Sequence, residues 1–130
     1  MTLAEIRDWL KTFNIAENYY IGRLENKKEY SLGVYEGAAA GRPVIAIGGI
    51  QNSSYDVRAV SLLLHWNRNK NESEIAARKL WGKLIEVNDE DAGKNHIQYL
   101  QMTVPKPVGV GTDGSGVYEY VINFNLYYRR

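Results

Sequence analysis

The residues best suited to chemistry in this 130-residue chain are a glycine-rich stretch, two histidines and a short acidic run. The stretch Gly109 to Gly114 satisfies the pattern G-x-G-x-x-G. That pattern binds a dinucleotide when it follows a strand and opens a helix, because the N–H groups at the helix N-terminus take the pyrophosphate. Here the residues from Val117 onward predict a strand. The stretch therefore predicts a flexible hairpin loop whose glycines tolerate positive φ, and no nucleotide site.

The histidines and the acidic run do not form a ligand set by their spacing. His65 and His96 are far apart in sequence, and a zinc site needs further ligands that the sequence does not place beside either. The run Asp89–Asp91 hints at a calcium loop, but Gly93 comes one place too early for an EF-hand and no bidentate glutamate follows. The run predicts a solvated turn, in which carboxylate pKa shifts are small.

No serine has the setting of an activated nucleophile. Ser53, Ser54 and Ser115 lack the strand–turn–helix context of a hydrolase elbow. We therefore expect no enzymatic activity, no cofactor and no metal. A hydrolase stays open as a rival, and it would need a cleft holding a carboxylate–histidine pair around His65 or His96.

Composition is that of an ordinary globular protein, with 45% apolar and 24% charged residues. The formal net charge of +1 provides no global field to recruit nucleic acid or an anionic membrane. Cysteine is absent, which excludes disulfides and thiolate metal sites. The sequence has no run of about 18 apolar residues, and Met1–Glu5 lack the basic and apolar regions of a signal peptide, so we expect no secretory signal. We expect one domain over residues 1–130, made in the cytosol and with no membrane partner.

Local basic patches remain compatible with this low net charge. The residues able to form them are Lys27, Lys28, Arg68, Lys70, Arg78, Lys79, Arg129 and Arg130. Solubility explains each of them singly. If several converge on one rim, they would line a passage for nucleic acid or pair with an acidic partner.

The first half of the chain predicts one helix followed by strands. Thr2 and Glu5 form a capping box, and apolar residues at helical spacing follow to about residue 14. Tyr19–Leu24 and Tyr30–Tyr35 predict two strands joined as a hairpin. The apolar run at residues 44–47 predicts a third strand.

The second half predicts the centre of a sheet and a second helix. Tyr55–Trp66 is apolar on both of its faces, which predicts a central strand covered on both sides. Asn71 with Glu74 resembles a helix cap, and a helical stripe follows to about residue 87. His96–Val104 and Val117–Arg129 predict the last two strands. The order predicts an α+β fold, with an antiparallel or mixed β-sheet and two α-helices packed on one face.

Two glycine-rich segments predict contact surfaces, because mobile loops between strong strands usually touch a partner. The first is an arm composed of Val108, Gly109, Val110, Gly111, Thr112, Asp113, Gly114, Ser115 and Gly116. The second is composed of Gly37, Ala38, Ala39, Ala40 and Gly41. The ten tyrosines also favour interfaces, since each combines a flat apolar ring with a polar tip.

Several blocks, in order along nearly the whole chain, carry a family resemblance. They are Tyr20–Glu29, Gly33–Tyr35, Ile47–Gly49, Ser54–Arg58, Leu64–Asn67, Val104–Asp113, Gly116–Glu119 and Leu126–Tyr128. In these blocks the chain resembles the small minor capsid proteins of tailed phages and prophages of Gram-positive bacteria. That family is related by gene context and fold to tail terminator proteins such as that of phage lambda.

The resemblance implies a tail-terminator-like fold and a structural role without enzyme activity or cofactor. In that role the protein self-associates into a ring, expected to be a hexamer, which caps the tail tube and joins it to the head-completion or connector protein. The resemblance implies assembly in the cytoplasm of the bacterial host, a place in the virion, and transient passage of DNA through the ring. Two alternatives stay open: a head-completion or connector protein of related fold, and a small cytosolic protein-binding adaptor with no virion role.

Overall fold

A computed structural model of the chain describes residues 1–22, 28–37 and 55–129. Within these ranges the elements are, in chain order, α1 (Leu3–Lys11), β1 (Asn18–Ile21), β2 (Ser31–Glu36), β3 (Tyr55–His65), α2 (Lys70–Ile85), β4 (Asn88–Ala92), β5 (Asn95–Met102), β6 (Val108–Thr112) and β7 (Tyr118–Arg129). This is an α+β fold, as predicted. The strand predicted at residues 44–47 lies outside the described residues.

The strands form one mixed sheet in the order β1-β2-β3-β7-β5-β4, with β6 also paired to β7. The central position predicted for β3 is confirmed, because β3 lies between β2 and β7 and pairs with β7 along its whole length. The last strand, β7, serves on its other edge as the common partner of β5 and β6.

The predicted hairpin of β1 and β2 is wrong, because these two strands are parallel. The backbone N–H groups of Glu17 and Asn18 both donate to the carbonyl oxygen of Tyr30, at 2.9 and 3.1 Å. Tyr30 has a φ of 57°, so the chain turns there and enters β2 beside the start of β1. The apolar alternation that predicts a strand contains no information on its direction.

Both helices pack on one face of the sheet, as expected. Since strand side chains alternate between faces, every second residue in the middle of β3 and β7 points toward the helices and is buried. These residues are Val60, Leu62, Leu64, Tyr120, Ile122, Phe124 and Leu126. They form one cluster with the apolar faces of the helices, which include Ile6 and Leu10 of α1 and Leu80 and Leu84 of α2. Burial of each large side chain contributes about 1.5–3 kcal/mol to stability.

The opposite face of β3 is less buried than the helix face, with Ala59, Ser61 and Leu63 half-buried and His65 fully buried. On this face Tyr99 of β5 and Tyr127 of β7 stack with their ring centroids 4.3 Å apart. Neither helix in the described ranges has the length and apolar character needed to cross a lipid bilayer.

The predicted capping box of α1 is present. The Thr2 hydroxyl accepts from the Glu5 N–H at 3.1 Å, and the Glu5 carboxylate accepts from the Thr2 N–H at 2.8 Å. The hydrogen bond from the Thr2 backbone, aided by one from the Asn95 side chain, lowers the pKa of Glu5 to about 2. The first turn of α1 is thereby joined to β5.

Two local predictions in the second half need correction. Helix α2 begins before the predicted cap, since the Asn69 side chain accepts from the Glu72 N–H at 3.0 Å. The acidic run is the edge strand β4, not a turn, and the turn follows at Gly93, which has a φ of 61°. Charged side chains are common on edge strands, and the acidic composition of β4 fits this position in the sheet.

Candidate functional site

The predicted arm is partly a strand, so the prediction of one mobile loop over Val108–Gly116 is wrong. β6 pairs antiparallel with β7, with Val108 opposite Val121 and Gly109 opposite Tyr120. The register shifts before Thr112, next to Gly111, whose φ of 90° is readily adopted only by glycine. Main-chain pairing needs no side chains, so a glycine-rich segment forms a strand when a long partner strand lies beside it.

The connection between β5 and β6 leaves the sheet and returns to the same edge of β7. Thr103 still donates its N–H to the Asn123 carbonyl oxygen at 3.2 Å, and pairing resumes at Val108. Pro105 and Pro107 lie between these two points and have no N–H to donate, which explains why the ladder is interrupted there. The interruption places Lys106 outside the sheet.

The tip of the hairpin is closed by a three-residue loop. The Asp113 N–H donates to the Val117 carbonyl oxygen at 2.9 Å, and the Gly116 N–H donates to the Asp113 carbonyl oxygen at 3.1 Å. Gly116, with a φ of 84°, occupies the left-handed position that such loops require. The Asp113 carboxylate also accepts from the N–H groups of Ser115 and Val117, at 2.8 and 3.0 Å.

The buried imidazole of His65 lies beneath this tip. Its Nδ1 is 2.9 Å from the Glu119 carboxylate and its Nε2 is 3.6 Å from the Asp113 carboxylate. The imidazole is fully buried, so the cluster does not present the open cleft that a hydrolase needs. The arrangement joins the end of β3, the start of β7 and the hairpin tip.

The second histidine lies between two carboxylates on the surface. Its Nδ1 is 2.8 Å from Asp91 and its Nε2 is 2.5 Å from Asp89. The hydrogen bond to Asp91, followed by the one to Asp89, raises the pKa of His96. Among the described residues, no group of three histidine, cysteine or acidic side chains has the geometry to hold a metal ion.

A groove of about 370 Å³ separates the first half of α2 from the start of β6. We call it the α2–β6 groove. Its polar lining is formed by Lys70, Glu74 and Arg78 of α2 and by Lys106 of the β5–β6 connection. Three cations against one carboxylate make the groove basic.

The apolar lining of the α2–β6 groove comes from both walls. Ala77 contributes from α2, while Val108 and Tyr120 contribute from the sheet. Gly109 lies so close to the Tyr120 ring that a Cβ at residue 109 would be 3.2 Å from it. Glycine at this position therefore keeps β6 close to β7 and the groove open.

Lys70, the first residue of α2, is held in place by two tyrosines. Its ammonium donates to the Tyr120 hydroxyl at 3.2 Å and lies 5.3 Å from the ring centroids of both Tyr118 and Tyr120. The hydrogen bond to Tyr120 raises the pKa of Lys70, so this cation stays charged across the physiological range. Arg78 is paired with Glu74 at 3.3 Å, which leaves the net charge of the groove positive.

Some of the predicted basic residues converge on this region and others do not. Lys70 and Arg78 line the groove, and Arg68 donates to the Ser115 carbonyl oxygen at the hairpin tip, at 3.0 Å. Lys79 lines a different cavity, and Arg129 ends β7. Lys27 and Arg130 lie outside the described residues.

The outer edge of β6 is unpaired within the described part of the chain, because β6 pairs only with β7 there. All of its residues are exposed, and the apolar Val108 and Val110 are 42% and 52% exposed. We call this feature the open β6 edge. It presents backbone N–H and C=O groups and two apolar side chains beside a basic groove, so it is suited to binding an extended acidic segment.

The second predicted contact segment is described only at its first residue. The Gly37 N–H donates to the Ala59 carbonyl oxygen at 3.1 Å, and a Cβ at residue 37 would lie 2.7 Å from the Val60 nitrogen. Gly37 thus packs against the backbone of β3. Residues Ala38, Ala39, Ala40 and Gly41 lie outside the described ranges.

Sequence reasoning missed the α2–β6 groove and the tethered hairpin tip. A signal for the tip was present, because Asp113-Gly114 between two alternating segments favours a tight hairpin. No signal predicted the groove, since Lys106 and Lys70 are distant in sequence and meet only through the pairing of β6 with β7.

No family model matches the sequence, and a search of curated proteins finds no match either. The fold and the site define a class: an α+β domain with an unpaired strand edge beside a basic groove. The resemblance to minor capsid proteins depends on the sequence blocks alone.

Proposed function

We propose that this protein is a structural component of a tailed-phage or prophage virion, a tail terminator. In this proposal its copies form a ring, a hexamer, that caps the tail tube, stops tube growth and presents a surface to the head-completion protein. The ring is assembled in the bacterial cytoplasm and lets DNA pass transiently through its opening. The ordered sequence blocks that resemble the minor capsid family support this role.

The observation that carries the proposal is the open β6 edge. Proteins that work alone usually protect such an edge with charges or proline. Here the edge consists of glycines, a threonine and the exposed valines Val108 and Val110, so it favours pairing with another strand. A protein whose task is to join copies and neighbouring virion parts needs such a surface.

A ring requires heterologous contacts, in which one patch of each subunit meets a different patch of the next. The described residues offer three unpaired sheet edges, those of β1, β4 and β6, and the edge of β1 lies at the opposite end of the strand order from β4. This supports a closed assembly built by repeating one contact.

The test is negative-stain electron microscopy of the protein incubated with tail tubes of its own phage. We expect rings at tube ends and tubes that no longer lengthen. The variant Val110→Lys should lose capping, because it places a cation on the open β6 edge. The matched control Ile85→Lys makes the same change at a residue that is 57% exposed on α2, and it should cap normally. Free tubes that continue to grow in the presence of wild-type protein would refute the proposal.

The basic lining of the α2–β6 groove favours a second candidate, a protein-binding adaptor that holds one acidic segment of a partner. An adaptor would form a complex of fixed size with its partner and would leave tube ends bare. A head-completion protein would bind the head connector and not the tube. The same mixtures, with tube or connector as the added component, separate the three roles.

A further inference from the structure

We infer that the open β6 edge receives strand β4 from a second copy of this chain, with acidic side chains of β4 against the α2–β6 groove. The inference rests on the proposed ring and names the two surfaces that meet in it. It follows from the open edges, their charges and their positions in the sheet.

Two edges of the sheet match in length. β4 ends the strand path and β6 flanks β7, so within the described ranges each has one unpaired side. Each strand spans five residues, Asn88–Ala92 and Val108–Thr112. Side-by-side pairing would continue the sheet from one subunit to the next at the usual strand separation of about 4.8 Å. The third edge, β1, spans four residues and is shorter.

The charges of the two edges are complementary. Beside β6, the groove holds Lys70, Arg78 and Lys106 against one carboxylate. On β4, the side chains of Asp89 and Asp91 are 74% and 83% exposed. They lie on the sheet face away from α1, so they meet the groove when the second copy is turned over relative to the first. Both contact His96, but a carboxylate has about four acceptor positions, so each retains capacity for a cation.

The same charges disfavour symmetric pairing. A β4–β4 contact would bring the aspartates of two copies together, and a β6–β6 contact would bring two basic grooves together. Like charges directly opposite each other in a sheet are destabilising. Of these three combinations, only β6–β4 joins opposite charges.

β4 is also presented rigidly. The Trp9 indole N–H of α1 donates to the Glu90 carboxylate at 3.3 Å, and β4 pairs with β5 on its inner side. An edge that is already ordered loses little conformational entropy when it binds.

The absence of cysteine from the chain makes a direct test possible. One variant has Val110→Cys in β6, and a second set has a single cysteine at residue 88, 89, 90 or 91 of β4. Directly opposed residues in adjacent strands have Cβ atoms about 4.5–5.5 Å apart, near the separation of about 3.5–4.5 Å in a disulfide. Under mild oxidation, mixtures of the two variants should form a crosslinked heterodimer at one or two positions of β4.

The control partner is Ile85→Cys, an equally exposed residue on α2. If no β4 position crosslinks to Val110→Cys more than residue 85 does, the inference is wrong. Preferential crosslinking of Val110→Cys to itself would also overturn it, because that result would show a symmetric β6 contact.

A charge exchange tests the electrostatic part. Lys106→Glu on the β6 partner, or Asp91→Lys on the β4 partner, should each lower the crosslinking yield about fivefold, the equivalent of about 1 kcal/mol. The two changes together should restore it, since the charges are again opposite. Melting curves check that each variant is folded. Loss without restoration would show that the groove and β4 do not meet.

The outcomes for the pairing and for the terminator role are distinguishable. Crosslinks between β6 and β4 without tube capping would support the pairing and refute the terminator role. Capped tubes without these crosslinks would leave the terminator role standing and overturn the pairing.

Discussion

The substitution Asp113→Ala tests whether the hairpin tip is tethered. The Asp113 side chain is 8% exposed and accepts two backbone hydrogen bonds, from Ser115 at 2.8 Å and Val117 at 3.0 Å. A hydrogen bond to a charged group contributes about 1.5–3 kcal/mol, and water replaces part of this at a hairpin tip. We therefore expect the free energy of unfolding to fall by about 2–4 kcal/mol.

Asp113→Asn separates the hydrogen bonds from the charge. Its side-chain oxygen can still accept both bonds, so the expected loss is about 1 kcal/mol, from the weaker acceptor and the lost charge beside His65. Thr112→Ala, at the exposed neighbouring residue, is the matched control and should change stability by less than about 0.5 kcal/mol.

The assay is urea denaturation followed by tryptophan fluorescence, with hydrogen exchange of the residue 109–117 amides as a local measure. Faster exchange confined to these amides would locate the effect at the tip. If Asp113→Ala is as stable as the Thr112→Ala control, the Asp113 side chain does not tether the tip.

Three further predictions follow from the packing. Gly37→Ala should lower the free energy of unfolding by about 1–3 kcal/mol, because its Cβ would lie 2.7 Å from a backbone nitrogen of β3. The control is Gly82→Ala, which should stabilise α2 because a Cβ there meets nothing within 4 Å. Equal melting temperatures for the two variants would contradict the close approach of Gly37 to β3. Asp91 and Asp89 raise the pKa of His96, so the stabilisation from protonated His96 is full below about pH 6.5 and is lost as the pH rises through the raised pKa. Between pH 5.5 and 9 the melting temperature should therefore fall less steeply for His96→Gln than for wild type. Parallel curves for the two proteins would exclude the effect. Tyr99→Ala should lower the free energy of unfolding by about 1 kcal/mol, because it removes the ring stack with Tyr127. If its melting temperature falls no further than that of Tyr99→Phe, the stack contributes nothing to stability.

Local patterns predicted the elements with strong periodicity. The capping box of Thr2 and Glu5, the central strand from Tyr55 and the final strand were all present, because each depends on contacts between near neighbours or on alternation along one strand. The acidic strand β4 was predicted as a turn, since an edge strand with charged side chains has the composition of a loop.

Pairings between distant segments were where prediction failed. β1 and β2 were predicted as a hairpin but are parallel, and β6 was predicted as a loop but pairs with β7. In both cases the decisive hydrogen bonds join backbone groups, which every sequence contains. The residue types at Tyr30 and Gly109 do not specify which strand lies beside them.

The amino-acid sequence alone was sufficient to predict an α+β domain with two helices on one face of a sheet, because helical and strand periodicities are local and one apolar face must be buried. Tertiary structure alone decided the candidate site. Lys70 and Lys106 line one groove only when β6 joins β7 beside the first half of α2. Among the described strands, the outer edge of β6 is open because β4 pairs with β5 and not with β6. Charge and strand pairing act between residues that are close in space, and the order of residues along the chain does not specify those distances.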